Sequence, residues 1–208
     1  MSVASIGDFP VENLPYGVFS VSGGDQRVGV AIEDQILDLS RVGEFGDLFT
    51  AGCLDRLLVA GPEIWADTRA AIREIVTSGR AEANLISMDQ AEMHLPCRIG
   101  NYVDFFSSLE HATNAGKILR SGSEPLTPNW RYLPLGYHGR AGSVVVDGTP
   151  IRRPTGQRRG SHGPLFGPTT KLDFELEVGF ITGQGPEIGT PLPIEEAERY
   201  IFGLVLVN

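Results

Sequence analysis

Cysteine is scarce in this sequence, which holds only Cys53 and Cys97 among its 208 residues. The two do not form a Cys-x-x-Cys pair, and they are too few for a four-cysteine zinc cluster. Sparse cysteine is typical of proteins from a reducing compartment. We therefore expect both side chains to be small, buried apolar groups.

Basic residues are also fewer than acidic ones, with 17 Lys and Arg against 26 Asp and Glu, which gives a net charge of -9. Such a chain repels phosphate backbones and anionic membranes, so we expect neither nucleic acid nor a membrane as a partner. No apolar run approaches the roughly 20 residues of a membrane span, and residues 1–17 lack the basic start and apolar centre of a secretory signal. These absences favour a cytoplasmic location.

Several common catalytic motifs are missing. The sequence has no GxxxxGK[ST] phosphate loop, no GxGxxG after a strand, no HExxH and no GxSxG. Nucleotide-binding, dinucleotide-binding, zinc-protease and serine-hydrolase functions therefore have no support.

The first hundred residues predict a small β-rich unit followed by helices. Short β-branched runs at 16–21, 27–32 and 35–40 are separated by turn residues, as in a meander or small barrel. Helices are predicted around 55–60 and over 62–78, the latter with Pro62 near its start. Pro96 favours an extended backbone at the preceding residue, and we place a domain boundary there, giving domains 1–97 and 98–208.

The second half predicts a helix over about 108–120, a long segment rich in Pro, Gly and Trp, and four strands. The strands are expected at 141–146, 149–154, 172–182 and 201–208. The last apolar run reaches Asn208 without a turn or cap, so we expect a truncated chain.

The stretch "LDFELE" at 172–177 concentrates negative charge. On a strand, Asp173, Glu175 and Glu177 share one face, and the apolar residues share the other. A half-exposed antiparallel strand explains this pattern, but like charges two residues apart repel each other. A bound cation would neutralise them, and oxygen-only ligands favour magnesium or calcium.

Three other segments carry candidate chemistry. Asp104 precedes a helix that Ser107 or Ser108 caps, and His111 follows in its first turn, where an imidazole could act as a general base. The glycine-rich stretch 133–143 is either a tight solvent loop or a place of close backbone approach. The four arginines within 151–164 predict a solvated or subunit-contacting loop, with anion binding as the minority interpretation.

Taken together and in this order, "NLPYGVFS", "DFFSSLEHATNAG", "LPLGYHGRAGSVVVDGTPIRRPTGQ", "LDFELEVGF" and "IFGLVLVN" closely resemble the fumarylacetoacetate hydrolase family. The resemblance runs from about residue 10 to residue 208. It implies an α+β, mainly β fold, in which a small N-terminal SH3-like barrel precedes part of a mixed β-sandwich roll. It also implies a homodimer that uses calcium or magnesium.

The resemblance assigns roles to seven residues by their match to family motifs. It implies metal ligands at Asp104, Glu175 and Glu177, a general base at His111, and substrate-binding side chains at Phe106, Arg120 and Tyr137. Family members usually have Tyr where this chain has Phe106, which removes one hydroxyl donor. The family's fourth carboxylate ligand would follow Asn208.

The implied activity is hydrolysis of fumarylacetoacetate, a dicarboxylate β-diketone, to fumarate and acetoacetate at the end of tyrosine and phenylalanine catabolism. We expect little or no activity from these 208 residues alone. One alternative is a related acylpyruvate hydrolase, decarboxylase or hydratase. Another is a non-catalytic β-rich interaction domain that keeps the family's residues without its activity.

Overall fold

The structure, a computed structural model, describes residues 9–120 and 122–208. Strands predominate in these ranges, and three α-helices accompany them, so the fold is α+β and mainly β. The chain divides into two compact units. Unit 1 combines the residues through Cys97 with Val146–Asn208, and unit 2 is Arg98–Val145. The predicted domain division after residue 97 stays a prediction.

The first part of unit 1 is a five-stranded antiparallel sheet. Its strands are β1 (Tyr16–Val21), β2 (Arg27–Ile32), β3 (Gln35–Asp38), β4 (Leu85–Ser87) and β5 (Ala91–His94), in the order β4-β3-β2-β1-β5. The prediction of β1, β2 and β3 is confirmed. The sequence did not predict β4 and β5, which are three and four residues long.

Helices α1 (Asp55–Ala60) and α2 (Pro62–Thr77) contribute to the core of this unit. Both helices were predicted, and Pro62 begins α2 because the first helical position needs no amide hydrogen. Leu57, Ile72 and Ile75 are fully buried together with apolar residues of the sheet such as Val18 and Val30.

Unit 2 contains strand β6 (Val103–Phe105), helix α3 (Leu109–Leu119) and strand β7 (Gly136–His138). The predicted helix over 108–120 is confirmed. The predicted strand at 141–146 is wrong, because Ala141–Ser143 forms a 3₁₀ turn and an irregular segment follows it.

The second part of unit 1 holds two hairpins, β8 (Thr155–Gly160) with β9 (Gly163–Pro168) and β10 (Glu177–Thr182) with β11 (Ile201–Val207). The arginine-rich loop predicted at 151–164 is therefore largely a hairpin, which turns through Ser161 and His162. The strand predicted at 149–154 is wrong, since Pro150 and Pro154 lack the amide hydrogens that strand pairing needs.

Aromatic side chains pack the last strand against the first part of unit 1. The ring of Phe202 on β11 lies 5.5 Å from the ring of Tyr16 and 5.3 Å from the ring of Trp65. The Trp65 indole donates a hydrogen bond to the carbonyl of Leu57, so α1, α2 and β11 meet at this residue. None of the helices within the described ranges has both the length and the apolar character needed to cross a bilayer.

Candidate active site

Strands β6 and β7 place Asp104 directly opposite Tyr137. The neighbouring pair is Phe105 with Gly136, and a Cβ added to Gly136 would lie 2.2 Å from the carbonyl oxygen of Asp104. Only a residue without a side chain fits this approach. Of the two interpretations of segment 133–143, the structure therefore shows close backbone approach at Gly136.

Two phenols surround the carboxylate of Asp104. Tyr137 donates a hydrogen bond from Oη to Asp104 Oδ2 at 2.8 Å, and the Oη of Tyr102 lies 3.4 Å from the same oxygen. Asp104 is half-buried, whereas Tyr137 is exposed. The carboxylate of Asp104 thus lies beside one phenol from β7 and another from the residue directly before β6.

Helix α3 begins as the sequence predicted. Ser108 is its cap, and its hydroxyl oxygen accepts a hydrogen bond from the amide of His111 at 3.2 Å. This bond satisfies one of the free amide groups of the first turn. It also holds the backbone of His111 against the cap residue of the helix.

The rings of His111 and Phe106 meet edge to face, with centroids 5.3 Å apart and an angle of 82° between their planes. The carbonyl of Phe106 accepts a hydrogen bond of 2.9 Å from the indole of Trp130. The predicted base and one predicted substrate contact therefore lie together. Phe106 and Trp130 also border an open hollow of about 510 Å³.

Arg120 lies at the end of α3, where its guanidinium donates a hydrogen bond to the carbonyl of Pro125. Gly116 permits this contact, because a Cβ at that position would lie 2.0 Å from the same carbonyl oxygen. The loop that follows α3 is thereby held against the last turn of the helix. Four more N–H groups of the guanidinium are left for other acceptors.

The two predicted glutamate ligands belong to unit 1. Glu177 is the first residue of β10 and pairs with Val207, whereas Glu175 precedes the strand and its amide donates to Asn208 Oδ1 at 3.3 Å. The strand predicted from residue 172 begins only at Glu177, because β11 ends at Val207 and offers no partner to earlier residues. Asp173 accepts a hydrogen bond from the next amide, that of Phe174.

The apolar side chains of residues 172–180 are exposed, whereas a strand with one face in the core would bury them. Phe174 is 75% exposed, Leu176 76% and Val178 65%. Leu204 and Leu206 pair with this face from β11 and are exposed as well.

No three His, Cys, Asp or Glu side chains within residues 9–120 and 122–208 form a group that could hold a metal ion. The structure places Asp104 in unit 2, and Glu175 and Glu177 in unit 1. Their carboxylate oxygens are of the donor type that suits a hard cation such as magnesium or calcium. The ligand roles of these three residues stay predictions.

Sequence reasoning missed two side chains of this site. Tyr102 lies two residues before Asp104, and the alternation of side chains along an extended backbone could have indicated that both lie on the same side. The contact between Trp130 and Phe106 carries no such local signal, since it joins positions 24 residues apart.

Comparisons with known proteins place this geometry in context. The model described as Fumarylacetoacetase N-terminal matches residues 12–96, and that described as Fumarylacetoacetate (FAA) hydrolase C-terminal matches residues 97–208. The fumarylacetoacetase of Rattus norvegicus is 44% identical over 99% of this chain and 54% of its own length. Those of Caenorhabditis elegans and Arabidopsis thaliana are 42% and 40% identical, each over 100% of this chain and 55% of their own. The chain thus spans about half the length of the curated relatives it matches.

Proposed function

Since the chain belongs to the fumarylacetoacetate hydrolase family, we propose that the complete protein hydrolyses a carbon–carbon bond of fumarylacetoacetate. The products are fumarate and acetoacetate, at the last step of tyrosine and phenylalanine catabolism. The observation that carries this proposal is the 44% identity to a fumarylacetoacetase over 99% of the chain.

The finer features of the family belong to the same proposal. They are an SH3-like form for the N-terminal sheet, a β-sandwich roll begun by residues 98–208, a homodimer and a cytoplasmic location. The antiparallel order of the five-stranded sheet supports the first of these.

The proposed cofactor is calcium or magnesium, held by Asp104, Glu175 and Glu177. When bound, the cation would polarise the oxygens of the diketone and stabilise the negative charge that develops there. The hydrogen bond from Tyr137 to Asp104 supports a ligand role, because metal-binding carboxylates are themselves hydrogen-bonded.

His111 is the proposed general base. Its imidazole would take a proton from the attacking water and return one to the departing carbon, for which a well-placed base contributes about 10²- to 10⁴-fold in rate. The edge contact with Phe106 and the capped first turn of α3 support this role, because both restrict where the ring can lie.

Arg120 and Tyr137 are the proposed substrate-binding groups. The planar guanidinium suits a carboxylate of the substrate, and its bond to Pro125 leaves further N–H groups for that purpose. The hydroxyl of Tyr137 donates its hydrogen to Asp104, and its oxygen is a hydrogen-bond acceptor. The side chain of Phe106 offers the substrate an aromatic ring but no group that can form a hydrogen bond.

The proposal is tested with the complete protein by following the loss of fumarylacetoacetate. His111→Ala should abolish turnover while a divalent cation still binds, and Glu177→Ala should weaken cation binding in a calorimetric titration. The matched control is His162→Ala, which alters an exposed histidine in the β8–β9 turn. If His111→Ala turned over substrate at nearly the rate of the control, His111 would not be the general base.

Substrate identity is tested by comparing turnover of fumarylacetoacetate with that of acylpyruvates on the same preparation. We expect fumarylacetoacetate to be the better substrate, and a preference for acylpyruvates would indicate a different activity within the superfamily. From the 208-residue chain alone we expect little or no hydrolysis.

A further inference from the structure

The two cysteines of this chain flank one backbone hydrogen bond. The amide of Leu54 donates to the carbonyl of Pro96 at 2.8 Å, and Cys53 and Cys97 are the residues bonded directly to these two. The bond joins the start of α1 to the segment that leaves β5. Residues 44 positions apart in the sequence are thereby brought side by side.

The environments of the two thiols differ. Cys97 is 8% exposed, Cys53 is half-buried, and both are free thiols. Burial raises the pKa of the Cys97 thiol, and the nearby charges of Asp55 and of Cys53 raise it further. Cys53 is the more accessible of the two to a reagent in solution, and the hydrogen bond between Leu54 and Pro96 places its backbone beside that of Cys97.

We propose that Cys53 and Cys97 form a modification site, at which a small-molecule disulfide such as oxidised glutathione introduces an intrachain disulfide. The site lies outside the proposed hydrolytic machinery. Cys97 is the first residue that the second family model matches, whereas Cys53 lies within the range of the first.

The reaction balances as two thiol–disulfide exchanges. The Cys53 thiolate attacks one glutathione sulfur, so a Cys53–glutathione bond forms, the glutathione disulfide breaks and one glutathione leaves. The Cys97 thiolate then attacks Sγ of Cys53, which forms the protein disulfide and releases the second glutathione. Two protein thiols are oxidised, one glutathione disulfide is reduced, and the two protein protons pass to the departing thiolates.

This disulfide would close a loop that contains α1, α2, β4 and β5. A cross-link across such a loop restricts the unfolded chain, so the oxidised form should unfold at a higher temperature than the reduced form. The modification would act on the stability of unit 1 without using any residue proposed for hydrolysis.

The test uses the full 208-residue chain, reduced, desalted and incubated with oxidised glutathione. We expect loss of two free thiols, a mass lower by about two hydrogens, and one peptide that links Cys53 to Cys97 within a monomer. Dithiothreitol should restore the original mass and the lower unfolding temperature. Cys97→Ala should instead keep one glutathione on Cys53, and Cys53→Ser should take up much less.

Two results would overturn the proposal. One is a stable glutathione adduct on Cys53 of the unaltered chain with Cys97 still free. The other is a disulfide found only between two chains. Both are read from the unaltered chain, so the conclusion does not depend on the folding of either variant.

Discussion

Tyr137 on β7 and Asp104 on β6 form a directly opposed pair in which the phenol Oη donates to Asp104 Oδ2 at 2.8 Å. The family resemblance assigns one residue to the substrate and the other to the metal. The structure joins them, so the orientation of the proposed ligand depends on the proposed substrate contact.

Tyr137→Phe should therefore weaken cation binding by the complete protein as well as substrate binding. Loss of a hydrogen bond to a metal ligand typically costs about 10- to 100-fold in affinity. Calorimetric titration with magnesium and calcium measures the effect, and Tyr132→Phe, which alters a phenol that is 83% exposed, is the matched control. If the cation affinity of Tyr137→Phe were unchanged, Tyr137 would have no role in cation binding and its proposed role would be limited to substrate binding.

Gly136→Ala should separate β6 from β7. The new methyl group would stand 2.2 Å from the carbonyl oxygen of Asp104, so the strands must part, and overpacking of this kind costs about 1–3 kcal/mol. Hydrogen exchange at the amide of Phe106, which donates to Leu135 at 2.7 Å, should become faster. Gly142→Ala is the control, because its Cβ would meet nothing within 4 Å, and equal exchange in the two variants would contradict the argument.

The sequence predicted elements whose signal is local. Alternation and turn residues were enough for β1, β2 and β3, and helical spacing with Pro62 was enough for α2. Residues 172–176 show the limit of such signals, because a strand forms only where a partner pairs with it, and β11 ends at Val207.

Only those parts of the candidate site that depend on neighbouring residues could be predicted from the sequence. The cap at Ser108 and the place of His111 follow from neighbouring residues. The pairing of Asp104 with Tyr137 joins positions 33 residues apart and depends on Gly136, so composition and spacing alone could not indicate it. The family resemblance named both residues but not their contact.

Asp38→Ala should destabilise unit 1 strongly. Asp38 is fully buried, and its carboxylate accepts from Arg27 at 2.6 Å and lies 3.2 Å from Arg41. Removing one partner of a buried ion pair costs about 3–5 kcal/mol, whereas an exposed pair contributes less than about 1 kcal/mol. Urea denaturation compares this variant with Asp47→Ala, which removes the exposed partner of Arg56. Similar losses in the two variants would show that burial of Asp38 does not matter.

The phenol of Tyr16 has a strongly raised pKa. Burial raises the pKa of Tyr16 from 10.0 to about 12, and Arg69 offsets part of that rise. Its Oη is buried without a hydrogen-bond partner among the described residues, and the ring packs on Phe202. The unfolded chain therefore releases this proton at a lower pH than the folded chain does.

Tyr16→Phe should consequently change how stability depends on pH. The pKa of Tyr16 is higher in the folded chain than in the unfolded chain. The contribution of protonated Tyr16 to the free energy of unfolding is therefore present in full below pH 10 and is lost as the pH rises toward 12. Between about pH 8 and about pH 11, urea denaturation should show the unaltered chain losing about 1 kcal/mol more than Tyr16→Phe. The variant should also gain about 1 kcal/mol at neutral pH, because it buries no unpaired hydroxyl. Tyr132→Phe, which alters an exposed phenol, is the matched control. If the stability of Tyr16→Phe fell with pH as steeply as that of the unaltered chain, the raised pKa of Tyr16 would be contradicted.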